Sequence, residues 1–330
     1  MATNPQRIDV HHHFLPPEFI ADLVRKGRDW TGGPVLKEWN VSIAREVMER
    51  NGIAAAVGSV VPITYWGDLK EAARWSRHSN EYMAKIVRDD PEHFGAFATL
   101  PLPDTQAAVR EAEYALDVLK LDGVQLWSSY GGQYPGDPAF EELFQELNRR
   151  AAVVHLHPHT LPPGANVPKL TIPHGIIEFV FDTTRAVTNL LYSGTLERYP
   201  AIRYIISHAG GTIPYMSGRI TLSTQLEVVR DKLPKGPQHY LQQLQRLYYD
   251  TALSTYDVVL AALGQFVPTS QVLFGSDYPL VDEFVVKLET SSLEKSRVLD
   301  DATRNAIDRD NALALFPRFA SKGAPKRSAA

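Results

Sequence analysis

Apolar residues along this chain gather in short unbroken runs, separated by longer stretches in which they recur at helical spacing. Ile8, Val10 and Phe14 frame the first run with β-formers, and residues 16–26 after it read as a short helix. Residues 27–34 are a Gly/Pro-interrupted insertion. The periodicity predicts a helix over 41–50, stopped by Asn51-Gly52, where glycine supplies the left-handed position past the helix end. Residues 53–61 are then almost wholly apolar, the pattern of a strand buried on both faces. The cycle repeats, with helices expected over 69–88, 105–120 and 138–150 and strands over 94–100, 123–127 and 152–157. A long loop through Pro162-Pro163-Gly164 precedes a helix over 175–191. Strands over 202–207, 247–250 and 272–274 complete the series, with helical stretches between them.

Strands alternating with helices in this number predict a (β/α)8 TIM barrel with loop insertions and C-terminal helices, rather than a doubly wound sheet. Residues 1–321 read as one barrel domain, and 322–330, small and basic, as a flexible tail. No repeat or linker divides the chain.

Composition removes several classes of function. Of 330 residues 44% are hydrophobic and 22% charged, ample for one closed core. A net charge of −4 without a basic stripe argues against a nucleic-acid partner. No run approaches the ~18 apolar residues needed to span a bilayer, and the N-terminus lacks a secretory pattern, so no membrane partner and a cytoplasmic location are expected. The chain has no cysteine. Any metal must therefore be held by histidine and carboxylate.

Histidines and aspartates collect where the strands end. Along Arg7-Ile8-Asp9-Val10-His11-His12-His13, alternation sends His11 and His13 to one face and His12 to the other, bringing two imidazoles together as the start of a metal site. A surface accident or a tag is the competing reading. His157 ends its strand before Pro158, with His155 as a packed or hydrogen-bonded neighbour. His208 stands where an apolar strand opens into Gly210-Gly211, a turn that lets a ligand approach closely; a capping or core histidine is the alternative. Asp277 follows the last strand as ligand or helix cap. Asp250 closes the seventh strand and either orients a histidine or caps the next segment. On this barrel type the strand ends form the face that carries chemistry.

The run Ile8-Asp9-Val10-His11-His12-His13, with Val124-Gln125-Leu126, His157-Pro158, His208-Ala209-Gly210-Gly211 and Phe274-Gly275-Ser276-Asp277, resembles the amidohydrolase superfamily in its aminocarboxymuconate-semialdehyde decarboxylase branch. The segments Asp182-Thr183-Thr184-Arg185-Ala186, Ser193-Gly194-Thr195-Leu196 and Phe274-Gly275-Ser276-Asp277-Tyr278-Pro279 are similar to the 6-methylsalicylate decarboxylases of that branch. The resemblance covers nearly the whole chain. It implies a mononuclear centre with His11, His13, His157 and Asp277 as ligands and His208 as a catalytic residue; imidazole and carboxylate donors suit zinc and manganese alike, with zinc favoured. It further implies loss of CO2 from an ortho-hydroxybenzoate-type aromatic acid, Asp277 delivering a proton to the ring with His208 sharing it. A lactone or amide hydrolase, or a hydratase, is the alternative on the same barrel, with His208 activating water. Arg185, Trp66, His174 and Tyr278 are the side chains expected to contact substrate. Tyr65 and Trp127 lie near the same face. A homodimer is implied as well, with helices over 301–315 as the contact surface. Two departures from relatives stand out. The fourth strand has no lysine to bridge a second metal, and Gly211 replaces the glutamate that resorcylate-type decarboxylases place after the catalytic histidine.

Overall fold

Small and β-branched residues that can be buried on both faces build the strands. These are β1 (Arg7–Phe14), β2 (Ile53–Val60), β3 (Phe94–Thr99), β4 (Gly123–Trp127), β5 (Val153–His157), β6 (Arg203–Ile206), β7 (Tyr248–Asp250) and β8 (Val272–Leu273). The computed structural model describes residues 6–28, 39–60, 67–159 and 171–322. Neighbouring strands pair in parallel in the order β1 to β8. The segment after β8 returns to β1: the Val10 N–H donates to the Phe274 carbonyl at 3.0 Å, Asp277 N–H to His11 at 2.8 Å and His13 N–H to Tyr278 at 2.7 Å. The chain is a (β/α)8 barrel, as its pattern predicts.

The helices between and after the strands are α1 (Pro17–Arg25), α2 (Val41–Arg50), α3 (Leu69–Asp89), α4 (Thr105–Glu113), α5 (Glu141–Arg149), α6 (Gly175–Tyr192), α7 (Thr195–Arg198), α8 (Ile213–Leu222), α9 (Glu227–Arg230), α10 (Pro237–Gln245), α11 (Asp257–Phe266), α12 (Glu283–Lys295), α13 (Asp301–Asn305) and α14 (Asn311–Leu315). The helix expected over 105–120 is regular only as far as Glu113 and continues as a π-type turn, Tyr114–Val118. Asn51 and Gly52 end α2 as expected, with Gly52 at φ +67°.

Strict alternation would set Val10 on the face opposite His11. Yet Ile8 and Val10 pack in the barrel interior with Phe97, Val153, Ile205 and Leu273. The pairing runs from Ile8↔Ala55 to His13↔Ser59, with register shifts between, so β1 carries one residue more than β2 over this span. The bulge resets parity, so Ile8 and Val10 face the interior on the same strand as His11 and His13.

The C-terminal helices close the opposite mouth. Ala312, Leu315, Phe316 and Phe319 pack on Ile8, Val10 and Phe97. Buried Arg7 ties this plug to the strand starts through Asp308 at 2.9 Å, Glu294 at 3.0 Å and the Asn51 carbonyl at 2.9 Å. Part of the 301–315 segment thus packs within the chain. Large exposed apolar side chains lie elsewhere, among them Tyr215, Leu222 and Val228, with Tyr256, Val258 and Phe284. Among the described residues no helix is long and apolar enough to cross a membrane. The tail over 323–330 lies outside the described residues.

Candidate metal centre

His11 and His13 reach the barrel mouth from β1, His157 from the end of β5, and Asp277 from the turn after β8. One donor atom from each lies within 4.8 Å of all the others, and the four side chains are buried. Ring centroids of His11 are 5.2 Å from His13 and 4.8 Å from His157. Asp277 Oδ1 sits 3.2 Å from His11 Nε2 and 3.0 Å from His13 Nε2. Asp277 holds φ +58°, so the backbone itself is bent to aim this carboxylate inward rather than to cap a helix. Asp282, not Asp277, precedes α12.

The outward nitrogen of each ligand histidine already has a partner. His11 Nδ1 bonds Asp250 Oδ2 at 2.9 Å, His13 Nδ1 lies 3.3 Å from Ser59 Oγ, and His157 Nδ1 donates to the Pro158 carbonyl at 2.7 Å. A proton on Nδ1 leaves the Nε2 lone pairs facing the centre, the tautomer a divalent cation requires. Among the described residues, the Nε2 atoms of His11 and His157 are buried without a hydrogen-bond partner. Buried nitrogens left unpaired beside a carboxylate fit a cation.

Electrostatics agree. Burial depresses the His157 imidazolium well below its ordinary range, with the His11 and His13 charges adding to the effect, and burial likewise lowers His13 despite Asp277. Burial also opposes charge on His11, but Asp250 and Asp277 overcome it and raise its pKa well above the usual value. Burial opposes charge on Asp277, but the charge and hydrogen bond of His11, with His13 and His208, together hold it well below the carboxylate range. The centre therefore favours one positive charge next to Asp277, and a bound cation would take the place of the His11 proton.

His208 stands 4.9 Å from His11 and 5.6 Å from His157, ring to ring. Its Nδ1 donates to the Ala252 carbonyl at 3.1 Å, and its backbone N–H to Asp250 Oδ1 at 3.0 Å. His208 and Ala209 both have positive φ, as do Gly210 and Gly211, so four successive left-handed residues turn the chain off β6. Gly211 is required there, since a Cβ would fall 2.1 Å from the Val180 carbonyl. Burial lowers the His208 pKa, so the ring is neutral at pH 7.

Asp250 does orient a histidine, but it is the ligand His11 rather than the His208 ring. His155 is the packed neighbour expected: stacked on Phe97 at 5.3 Å, it lies 3.4 Å from Asp250. Asp9 escaped the sequence reading. It accepts from His11 N–H at 3.0 Å, Ser276 N–H at 3.1 Å and Ser276 Oγ at 2.6 Å, pinning the Asp277 turn to β1. Its place inside the histidine run was the available signal.

Of the side chains expected to touch substrate, Trp66 lies outside the described residues, as does Tyr65. Tyr278 corrects its expectation. Its backbone pairs beside His12, and alternation carries its ring onto His12 at 5.5 Å, on the face of β1 away from the ligands. Arg185 is half exposed on α6, 3.9 Å from Asp182. His174 precedes α6 with its Nε2 buried and without a partner among the described residues. Trp127 stands 5.6 Å from His157, its buried indole N–H likewise without a partner among them.

A barrel with three imidazoles and one carboxylate at its C-terminal mouth defines the class of metal-dependent (β/α)8 enzymes. Residues 8–318 match the amidohydrolase family, and the chain belongs to it. It is 36% identical over 321 residues to 6-methylsalicylic acid decarboxylase of Penicillium expansum, covering 95% of this chain and 97% of that protein. A solved structure described as amidohydrolase II is 28% identical, with a TM-score of 0.86 over 94% of this chain and 99% of that one. The fold is also that of 5-carboxyvanillate decarboxylase from Novosphingobium aromaticivorans, solved with manganese and 4-hydroxy-3-methoxy-5-nitrobenzoic acid. That match has 20% identity and a TM-score of 0.81, covering 94% of this chain and 96% of that one.

Proposed function

We propose that this chain is a metal-dependent, non-oxidative decarboxylase of an ortho-hydroxybenzoate-type acid, with 6-methylsalicylate as the representative substrate. The observation that carries the reading is the convergence of His11, His13, His157 and Asp277 beside His208, in a chain that matches a 6-methylsalicylic acid decarboxylase along nearly its full length.

A divalent cation held by His11, His13, His157 and Asp277 would supply Lewis-acid polarisation of the substrate's carboxylate and phenol. Imidazole and carboxylate donors suit zinc and manganese alike, and zinc is favoured for a four-donor centre. The chain's own residues then handle protons. Direct loss of CO2 would leave an aryl carbanion with no electron sink, so the carbon bearing the carboxylate is protonated first. Asp277, ionised at rest, takes the phenol proton and delivers it to that carbon. His208, neutral at rest, shares the proton and holds the phenol oxygen. Cleavage of the C–C bond returns its electron pair to the ring, releases CO2 and restores aromaticity; the phenolate oxygen takes a proton from solvent. Among the expected substrate contacts His174 remains a candidate, its buried Nε2 having no partner among the described residues. A homodimer and a cytoplasmic setting belong to the same proposal, the former checked by light scattering.

The test is to incubate zinc-loaded protein with 6-methylsalicylate, salicylate, resorcylates and a lactone panel while following CO2 and ring absorbance. CO2 release matched to loss of the ortho-hydroxybenzoate is expected. Lactone hydrolysis with no CO2 from any aromatic acid overturns the proposal in favour of a hydrolase.

A further inference from the structure

Glu289, in the middle of α12, is an acid that the proposed chemistry does not use. It is 5% exposed. Its Oε1 accepts the backbone N–H of Leu253, while Oε2 is buried with no hydrogen-bond partner among the described residues. Burial, opposed by the Leu253 N–H and assisted by the charges of Asp277 and Asp9, pushes the carboxyl up to about 9. A neutral acid buried here needs a reason, because an apolar residue would fill the same space without desolvating a carboxyl group.

The peptide unit it grips supplies one. The Leu253 N–H and the Ala252 carbonyl belong to the same amide, and that carbonyl receives the Nδ1 proton of His208 at 3.1 Å. Leu253 stands at φ +52°, a left-handed conformation that a leucine keeps only when its surroundings hold it. Two carboxyl groups hold it from opposite sides. Asp250 Oδ1 accepts the Ala252 N–H at 3.1 Å together with the His208 N–H, and Glu289 takes the next N–H along the chain. Ser292, one turn further along α12, donates to the Thr255 carbonyl at 2.8 Å and fastens the helix to the same loop.

We propose that Glu289 is a positioning residue for His208: by holding the Leu253 N–H it aims and polarises the Ala252 carbonyl, which fixes His208 as the Nδ1–H tautomer and leaves Nε2 to exchange protons with substrate. Hydrogen bonds in series through one amide strengthen each other, so removing the far acceptor weakens the near one. The inference rests on the catalytic role given to His208 above.

The experiment uses zinc-loaded full-length protein, with Glu289→Leu to remove the acceptor and Glu289→Gln to restore it without the acid. Proton–nitrogen spectra of histidine-labelled protein report the His208 Nδ1–H directly, assigned by its loss in His208→Ala. Glu289→Leu should shift that resonance upfield, speed its exchange with water, and lower kcat by about 10-fold with KM changed less than about 2-fold and zinc content unchanged. Glu289→Gln should bring both readouts back towards wild type. Glu289→Met, apolar and flexible, replaces the leucine variant if that one does not fold. A Glu289→Leu or Glu289→Met protein with wild-type kcat and an unmoved His208 resonance overturns the inference. So does loss of activity that merely follows the folded fraction while the resonance stays in place. Full activity in His208→Ala would instead defeat the reading of His208 itself, leaving the spectral coupling to Glu289 as a separate result.

Discussion

Replacing Asp250 with asparagine separates metal binding from folding. One carboxylate oxygen serves the backbone, accepting from His208 N–H at 3.0 Å and Ala252 N–H at 3.1 Å; the other receives His11 Nδ1 at 2.9 Å. Asparagine keeps an acceptor for the backbone pair but presents NH2 to His11, whose ring must then accept at Nδ1 and carry its proton on Nε2. That proton points at Asp277 and occupies the ligand position. Partners of this kind are worth about 10–100-fold in metal affinity, or about 1.4–2.7 kcal/mol. Alanine would instead strand the donors that Asp250 now satisfies, at about 1–3 kcal/mol each, and would damage the fold as well. Competition against a chromophoric chelator gives the zinc affinity, and urea unfolding of chelator-treated protein gives stability. Asp250→Asn should bind zinc about 10–100-fold more weakly, while the chelator-treated protein still unfolds in one cooperative transition. Wild-type zinc affinity in this variant would refute the tautomer argument.

Three further outcomes follow. His208→Ala should lower kcat by about 100-fold or more with zinc content unchanged, measured by CO2 release and elemental analysis. Gly211→Ala should destabilise the protein by at least about 1 kcal/mol in urea unfolding, since φ +62° and the Val180 carbonyl both oppose a side chain there. The third concerns pH. Burial lowers His155 to about 4, so between pH 6.5 and 4 the unfolded chain binds a proton that the folded chain refuses, and stability falls as pH drops through that window. His155→Phe should remove up to about 3 kcal/mol of this loss in chelator-treated protein. His11 acts with the opposite sign, its raised pKa giving stability below the ordinary imidazole value that fades as pH rises through its folded one.

Much of the site could be read from the chain because the barrel converts position into place: a residue ending a strand arrives at the mouth. His11, His13, His157 and Asp277 were legible for that reason. The bulge in β1 was not, because inserting one residue leaves no compositional mark, and only the pairing with β2 exposes it. Tyr278 was misplaced because its backbone pairs with β1 as an extension of the sheet, which alternation on β8 alone does not foresee. Glu289 was invisible. It is buried on α12 with no local pattern to mark it, and its importance comes from a backbone group far away in sequence. The packing of the C-terminal helices on the barrel floor was not legible either, since an apolar helix face does not say whether it meets a partner or its own barrel.

The measurement that bears most directly on the account is CO2 release from 6-methylsalicylate by chelator-treated protein as zinc is added back. Four side chains around one cation require activity to rise linearly and level off at one zinc per chain. Undiminished turnover in the chelated protein, or a break at two equivalents, would contradict the single-metal centre on which the account stands.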